Sequence, residues 1–89
     1  MLKDNRKKIE EIFKEMYDLK IKYGIYGEII VTAITNIATC KFNDDEAGAK
    51  AWTDIQEGYT LQRKIIETRI TDLHTMAMKL KEEMMGDPA

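Results

Sequence analysis

The residues of this chain that could do chemistry are three tyrosines and a few polar side chains near the middle of each half. Tyr23 and Tyr26 lie beside glycines in the segment YGIYG, and Tyr59 follows Gly58. If the two halves pack as antiparallel helices, these residues come to one level. Aromatic faces beside a guanidinium suit a planar or phosphorylated ligand. The predicted pocket is lined by Tyr23, Tyr26 and Tyr59, with Lys22, Gln62 and Arg63 at its rim.

The plainer interpretation of this level is that tyrosine rings fill the space that the glycines leave. With the turn near Asn43, Gly27 faces Tyr59, and Gly24 lies near Gln62 and Arg63. We favour this packing role over the pocket. Mid-bundle polar residues can also specify helix register rather than bind a ligand.

Other reactive groups are isolated. His74 is the single histidine and Cys40 the single cysteine, and serine is absent. One histidine without a second ligand at metal-binding spacing does not make a transition-metal site. A single cysteine excludes an intramolecular disulfide, and at an apolar helical position it is typical of a small buried side chain. We therefore predict no metal, no cofactor and no catalytic residues.

One short segment near the N-terminus resembles an enzyme family. The run from Arg6 to Ile12, RKKIEEI, resembles the start of the all-helical chorismate mutases, which are dimers with a long first helix. That family carries a second arginine further along the same helix, where this chain has Tyr23. Because the resemblance is short and departs at that position, we do not assign the chain to the family.

The elements that must position these residues are indicated by an apolar repeat of seven in the first half. Repeats of this kind mark the a and d positions of a helix that packs along one partner helix. The a positions are Leu2, Ile9, Met16, Tyr23, Ile30 and Ile37, and the d positions are Ile12, Leu19, Tyr26, Ala33 and Cys40. The pattern predicts an all-α fold.

The second half has a similar stripe, and the break between the halves is short. Asn43 is a suitable N-cap, and Glu46 three residues later would complete a capping box. Gly86 and then Pro88 would end the second helix. The sequence predicts one domain, 1–89, with helices over about 4–41 and 44–85 and a tail at 86–89. The second stripe is Trp52, Ile55, Tyr59, Ile66, Ile70, Leu73, Ala77, Leu80 and Met84, interrupted at Gln62 or Arg63.

The continuity of the first helix is less certain at Gly24 and Gly27. Each glycine inside a helix costs about 1 kcal/mol relative to alanine. A loop there would divide the first half into two helices. Because the seven-residue repeat keeps its phase through 23–27, we favour one continuous helix that is kinked at these glycines.

Apolar residues around more than one face of the helices predict self-association. Helices that are apolar around more than one face are buried on several sides. A second copy of the chain is the simplest source of the missing surface, giving a helical hairpin that dimerises or forms a larger bundle. The residues expected at that interface are Ile30, Ile34, Ile37, Leu61 and Ile65.

Composition and charge argue against nucleic-acid and membrane partners. Fourteen basic and sixteen acidic residues give a net charge of −2 without a block of either sign. A nucleic-acid binder would carry a basic stripe, and a membrane-surface helix a lysine-rich polar face. We therefore expect neither partner. With no signal-peptide pattern at the N-terminus, we expect a cytoplasmic protein.

Two function hypotheses follow. The first is a non-enzymatic homo-oligomer that binds or inhibits a protein partner. The alternative is an oligomer that binds or sequesters a nucleotide-like small molecule at the Tyr23, Tyr26 and Tyr59 level. Isoleucine exceeds leucine and lysine exceeds arginine, a bias typical of AT-rich genomes, and a phage-encoded inhibitor would fit either hypothesis.

Overall fold

The chain folds as two long helices joined by a three-residue turn. A computed structural model describes the backbone of residues 2–85 and the side chains of residues 4–85. Helix α1 spans Leu2–Phe42 and helix α2 spans Glu46–Met85. The helices pack against each other along their length, in a molecule with extents of 70 × 14 × 12 Å. Within the described range there is no strand, so the predicted all-α hairpin is confirmed.

The seven-residue repeat of α1 forms its packing face. From Ile9 to Cys40 every a and d residue is buried or half-buried. The best-buried cluster lies toward the open end of the hairpin, where Ile12 and Met16 pack with Leu73 and Ala77. The repeat therefore forms the interface between α1 and α2 of the same chain.

The packing face of α2 follows the same period but differs from the predicted stripe at one point. Ile55 is exposed, whereas Gln56 and Arg63 are half-buried. The repeat therefore runs from Ala49 through Gln56 and Arg63 to Ile70. The polar interruption is Arg63 and not Gln62, which is exposed.

The turn ends α1 and begins α2 with two standard caps. The Asp45 N–H donates to the Cys40 carbonyl at 2.8 Å, and the Asp44 N–H donates to the Lys41 carbonyl at 3.2 Å. With Asp44 at φ 56°, this is a Schellman motif. Asp45 then caps α2, because its Oδ1 accepts from the Gly48 N–H at 2.9 Å. The predicted cap at Asn43 is wrong, since the Schellman turn places Asn43 two residues before the N-cap.

The glycines of α1 do not interrupt it. The helix is continuous through Gly24 and Gly27, so a loop over 23–27 is wrong. A kink there stays a prediction. The expected helix end at Gly86 and Pro88, and the tail 86–89, lie outside the described residues.

The hairpin has a thin core. Three of its seven buried apolar residues are alanines, and Leu73 is the one large side chain below 2 % exposure among those described. The accessible surface is 7011 Å². A compact chain of 10.3 kDa exposes about 5,350 Å², so this fold exposes roughly 1,650 Å² more.

Candidate functional site

Two of the predicted pocket tyrosines pack on each other. Tyr26 of α1 and Tyr59 of α2 occupy d positions across the hairpin, and both are half-buried. Their ring centroids are 5.1 Å apart and their planes are inclined by 62°. This edge-to-face arrangement is the geometry that aromatic pairs prefer. The sequence correctly predicted that these residues meet, and here their rings fill the interface.

The third tyrosine is covered by the arginine. The Arg63 guanidinium carbon lies 3.7 Å from the Tyr23 ring centroid. Its Nε donates to the Tyr23 backbone carbonyl at 3.2 Å. The guanidinium therefore lies flat against α1, held by a cation–π contact and by a hydrogen bond.

Gly27 makes room for this guanidinium. A Cβ at Gly27 would lie 3.1 Å from both Cζ and Nη2 of Arg63, which is tighter than ordinary contact. Because Gly27 follows Tyr23 by one helical turn, its missing side chain leaves the Tyr23 carbonyl accessible to Arg63. Gly24 and Gly58 have no neighbour within 4 Å of such a Cβ. The two helices therefore do not approach closely at Gly24 or at Gly58.

Glu67 completes the cluster and was missed from the sequence. The Tyr23 hydroxyl donates to Oε1 of Glu67. This hydrogen bond raises the pKa of Tyr23 above its ordinary value, with a smaller contribution from desolvation, while the Arg63 charge acts in the opposite direction. Glu67 lies one helical turn after Arg63, so the i, i+4 spacing on α2 was the signal that could have identified it.

An open groove of about 650 Å³ adjoins this cluster. Two carboxylates and two cations line it, so their formal charges cancel. Of the six predicted pocket residues, Tyr23 and Arg63 line the groove, whereas Lys22 and Gln62 are exposed elsewhere. The lining residues are Tyr23, Ile30, Gln56, Glu57, Thr60, Leu61, Arg63, Lys64 and Glu67.

The five predicted interface residues separate into two groups. Ile30 and Ile37 are half-buried at a positions of α1, where they pack within the hairpin. Ile34, Leu61 and Ile65 are 50 %, 59 % and 54 % exposed. The exposed group is free to contact another molecule.

The remaining reactive groups are not assembled into a site. The Cys40 thiol lies at the turn, and desolvation together with the Asp45 charge raises its pKa. Over the described part of the chain, no three metal-binding side chains are grouped. Neither helix, as far as it is described, has an apolar stretch long enough to cross a bilayer.

Comparison with protein-family models, with curated proteins and with solved structures finds no match to this chain.

Proposed function

We propose that this protein is a non-enzymatic homo-oligomeric helical-bundle protein that binds or inhibits a protein partner. The observation that supports the proposal most strongly is the number of large apolar side chains at the surface. They occur on both helices: Phe13, Tyr17, Ile21, Ile25, Val31, Ile34, Phe42, Ile55, Leu61, Ile65, Met76, Met78 and Met85. Exposed apolar side chains that adjoin one another mark interaction surfaces, and Val31 and Ile34 adjoin at a spacing of three on α1.

The exposed area supports self-association. A standard protein interface buries about 800 Å² on each partner. The exposed surface exceeds that of a compact fold of this mass by roughly 1,650 Å², which is enough area for two interfaces of this size. A hairpin with a thin core also gains stability from a partner, since folded subunits are stabilised by association.

A second surface suits another protein. At the open end of the hairpin, an apolar groove of about 480 Å³ is bounded by Phe13 and Met78, with Arg6 and Lys81 at its edge. Apolar grooves between helices bind amphipathic helices, and methionine-rich walls adapt to their side chains. The basic edge favours a partner helix that carries carboxylates beside its apolar face.

Mass measurement in solution tests the oligomer. Light scattering at micromolar concentration should give a multiple of 10.3 kDa, and a strict monomer would contradict the proposal.

Affinity capture tests the partner groove. Met78→Glu should lose a partner that the wild type retains, and the matched variant Leu61→Glu, on the outer face of α2, should keep it. Equal capture by both variants would exclude this groove as the binding surface.

The alternative function is binding of a nucleotide-like small molecule. One observation favours it, because Arg63 presents a guanidinium beside Tyr23 in an open groove. A planar ligand would compete with the guanidinium for the Tyr23 ring. Some member of a nucleotide panel should then raise the melting temperature by several degrees. Arg63→Ala should abolish that shift and Lys22→Ala should preserve it, and a flat panel would exclude the pocket.

A further inference from the structure

One lateral face of α1 is apolar and lies beside the hairpin interface without being part of it. Its large members are Phe13, Tyr17, Val31 and Ile34, which are 54 %, 66 %, 63 % and 50 % exposed. Ala38 extends the face toward the turn and is also exposed. Lys20, Gly24 and Gly27 lie between Tyr17 and Val31 on the same face. With these three, successive members follow one another at spacings of three or four, so they form a single stripe along the helix. We call it the α1 stripe.

Two glycines lie at the middle of the α1 stripe, but only Gly24 is uncovered, because the Arg63 guanidinium of the same chain lies over Gly27. Gly24 has open space where a Cβ would point. A shallow groove of about 560 Å³ runs over this level, lined by Gly24, Gly27 and Val31 on α1 and by Arg63 at its edge. Small residues at the centre of a helix face allow another backbone to approach closely. Larger apolar side chains flank this centre on both sides.

A second copy of the chain matches this surface by symmetry. In a two-fold dimer the same face packs on itself, so the middle of one stripe meets the middle of the other. Phe13, Tyr17 and Ile34 then each meet the opposite arm of the second copy. The charges fit as well, because Glu10 and Lys41 stand at opposite ends of the stripe. Antiparallel packing brings each of them beside its opposite charge. The area needed, about 800 Å² per partner, is less than the excess exposed area of this hairpin.

We infer that α1 packs antiparallel against α1 of a second copy through the α1 stripe, with Gly24 opposite Gly27 of that copy. This inference rests on the proposed function, since it names the interface of the proposed oligomer. In this register Tyr17 meets Ile34 and Lys20 meets Val31. Phe13 meets Ala38, and since Phe13 also borders the apolar groove at the open end of the hairpin, the dimer covers one wall of that groove. The two α1 helices are then central, and the two α2 helices lie outside.

Neighbouring registers fit the charges less well. A shift of one heptad in one direction places Phe13 opposite Val31 but buries Glu10 against Ile34. The opposite shift places Tyr17 beside Lys41 and leaves Phe13 without an apolar neighbour. A buried unpaired charge is costly, and the favoured register pairs Glu10 with Lys41. Lys20 lies opposite Val31 in this register, and its long side chain can carry the ammonium group to solvent beside the interface.

Cysteine cross-linking tests the register. In a Cys40→Ala background, a chain carrying both Lys20→Cys and Val31→Cys should form a disulfide-linked dimer through residues 20 and 31. Either substitution alone should not, because two-fold symmetry places identical residues at these positions about 16 Å apart along the helix. A chain with Phe13→Cys and Val31→Cys is the matched control, and it should cross-link only after a shift of one heptad.

Dissociation and charge exchange test the surface. Val31→Lys should raise the dimer dissociation constant at least tenfold while the far-ultraviolet circular dichroism stays helical. The matched variant Leu61→Lys, on the outer face of α2, should leave it unchanged. Glu10→Lys and Lys41→Glu should each weaken the dimer, and the double exchange should restore it.

The results separate this inference from the proposed oligomer. A strict 10.3 kDa monomer overturns both. An oligomer that tolerates Val31→Lys and does not cross-link through residues 20 and 31 overturns the α1 interface alone. A dimer that dissociates with Val31→Lys but cross-links through residues 13 and 31 overturns the register.

Discussion

The same substitution, glycine to alanine, is expected to have opposite effects at two positions of α2. Neither Gly58 nor Gly48 has a positive φ, so alanine is compatible with both backbones. A Cβ at Gly58 would meet nothing within 4 Å. Gly58→Ala should therefore stabilise the fold by about 0.5–1 kcal/mol, through helix propensity and lower entropy of the unfolded chain.

Gly48→Ala should destabilise the fold. The new Cβ would lie 2.8 Å from Asp45 Cγ and 2.9 Å from Cys40 Sγ. The Asp45 side chain is held there by the Gly48 N–H that it caps, so it cannot move away without losing the cap. Loss of an N-cap costs about 1 kcal/mol, and overpacking about 1–3 kcal/mol. After the gain in helix propensity, we expect a net loss of about 1–3 kcal/mol.

Thermal unfolding followed by circular dichroism at 222 nm measures the difference. At this chain length a change of 1 kcal/mol shifts Tm by about 4–8 °C, so the two variants should differ by well over 5 °C in opposite directions. Protein concentration must be equal, because association changes Tm. Removing the thiol in a Cys40→Ala background should recover part of the loss at Gly48. Equal stability of the two variants would refute the steric argument.

Three further predictions concern the turn and the tyrosine cluster. Asp44→Gly should stabilise the fold by about 0.5–1 kcal/mol, measured by urea unfolding, because a non-glycine residue is unfavourable in the left-handed region that Asp44 occupies. Glu67→Gln should lower the pKa of Tyr23, read by NMR titration of labelled tyrosine, since it removes the carboxylate that favours the protonated phenol and leaves Arg63 unopposed. Asp45→Asn should lower the pKa of Cys40 and increase its rate of reaction with a disulfide reagent, while asparagine keeps the cap.

Each of these has its own control. Asp44→Ala, which gains no left-handed freedom, should not reproduce the gain of the glycine variant. Because the folded pKa of Tyr23 is raised, its hydrogen bond stabilises the fold below the ordinary tyrosine pKa of 10.0 and is lost as the pH rises through the raised value. A wild-type chain with constant stability across that alkaline range would contradict the assignment. For Cys40, an unchanged reaction rate in the Asp45→Asn variant would show that the carboxylate charge has no influence on the thiol.

The sequence predicted the fold because helical packing leaves a local signal. A residue that recurs every seven positions returns to the same side of a helix whatever lies elsewhere in the chain. Ile12 and Met16 could therefore be assigned to the packing face of α1, and Tyr26 could be placed beside Tyr59 once the turn was located. The stripe of α2 was less clear, since Gln56 and Arg63 are polar where the period places packing residues.

The candidate site was harder to predict, because contacts between helices depend on register and on side-chain reach. Arg63 could have pointed to solvent, as Gln62 does. Its position over Tyr23 depends on the gap at Gly27, and that gap depends on where the turn places α2 against α1. Glu67 belongs to the cluster for the same reason. It lies one helical turn after Arg63, so the position of α2 against α1 also brings it to Tyr23.

By itself the sequence determined that the chain forms two antiparallel helices that meet along a seven-residue repeat. The physical reason is that burial of apolar side chains at helical spacing is set within each helix. The tertiary structure decided that Asp45 rather than Asn43 caps α2 and that Gly27 alone of the mid-helix glycines is covered by a neighbour. It also decided which apolar residues of α1 remain at the surface, because exposure depends on how much of each helix one partner can cover.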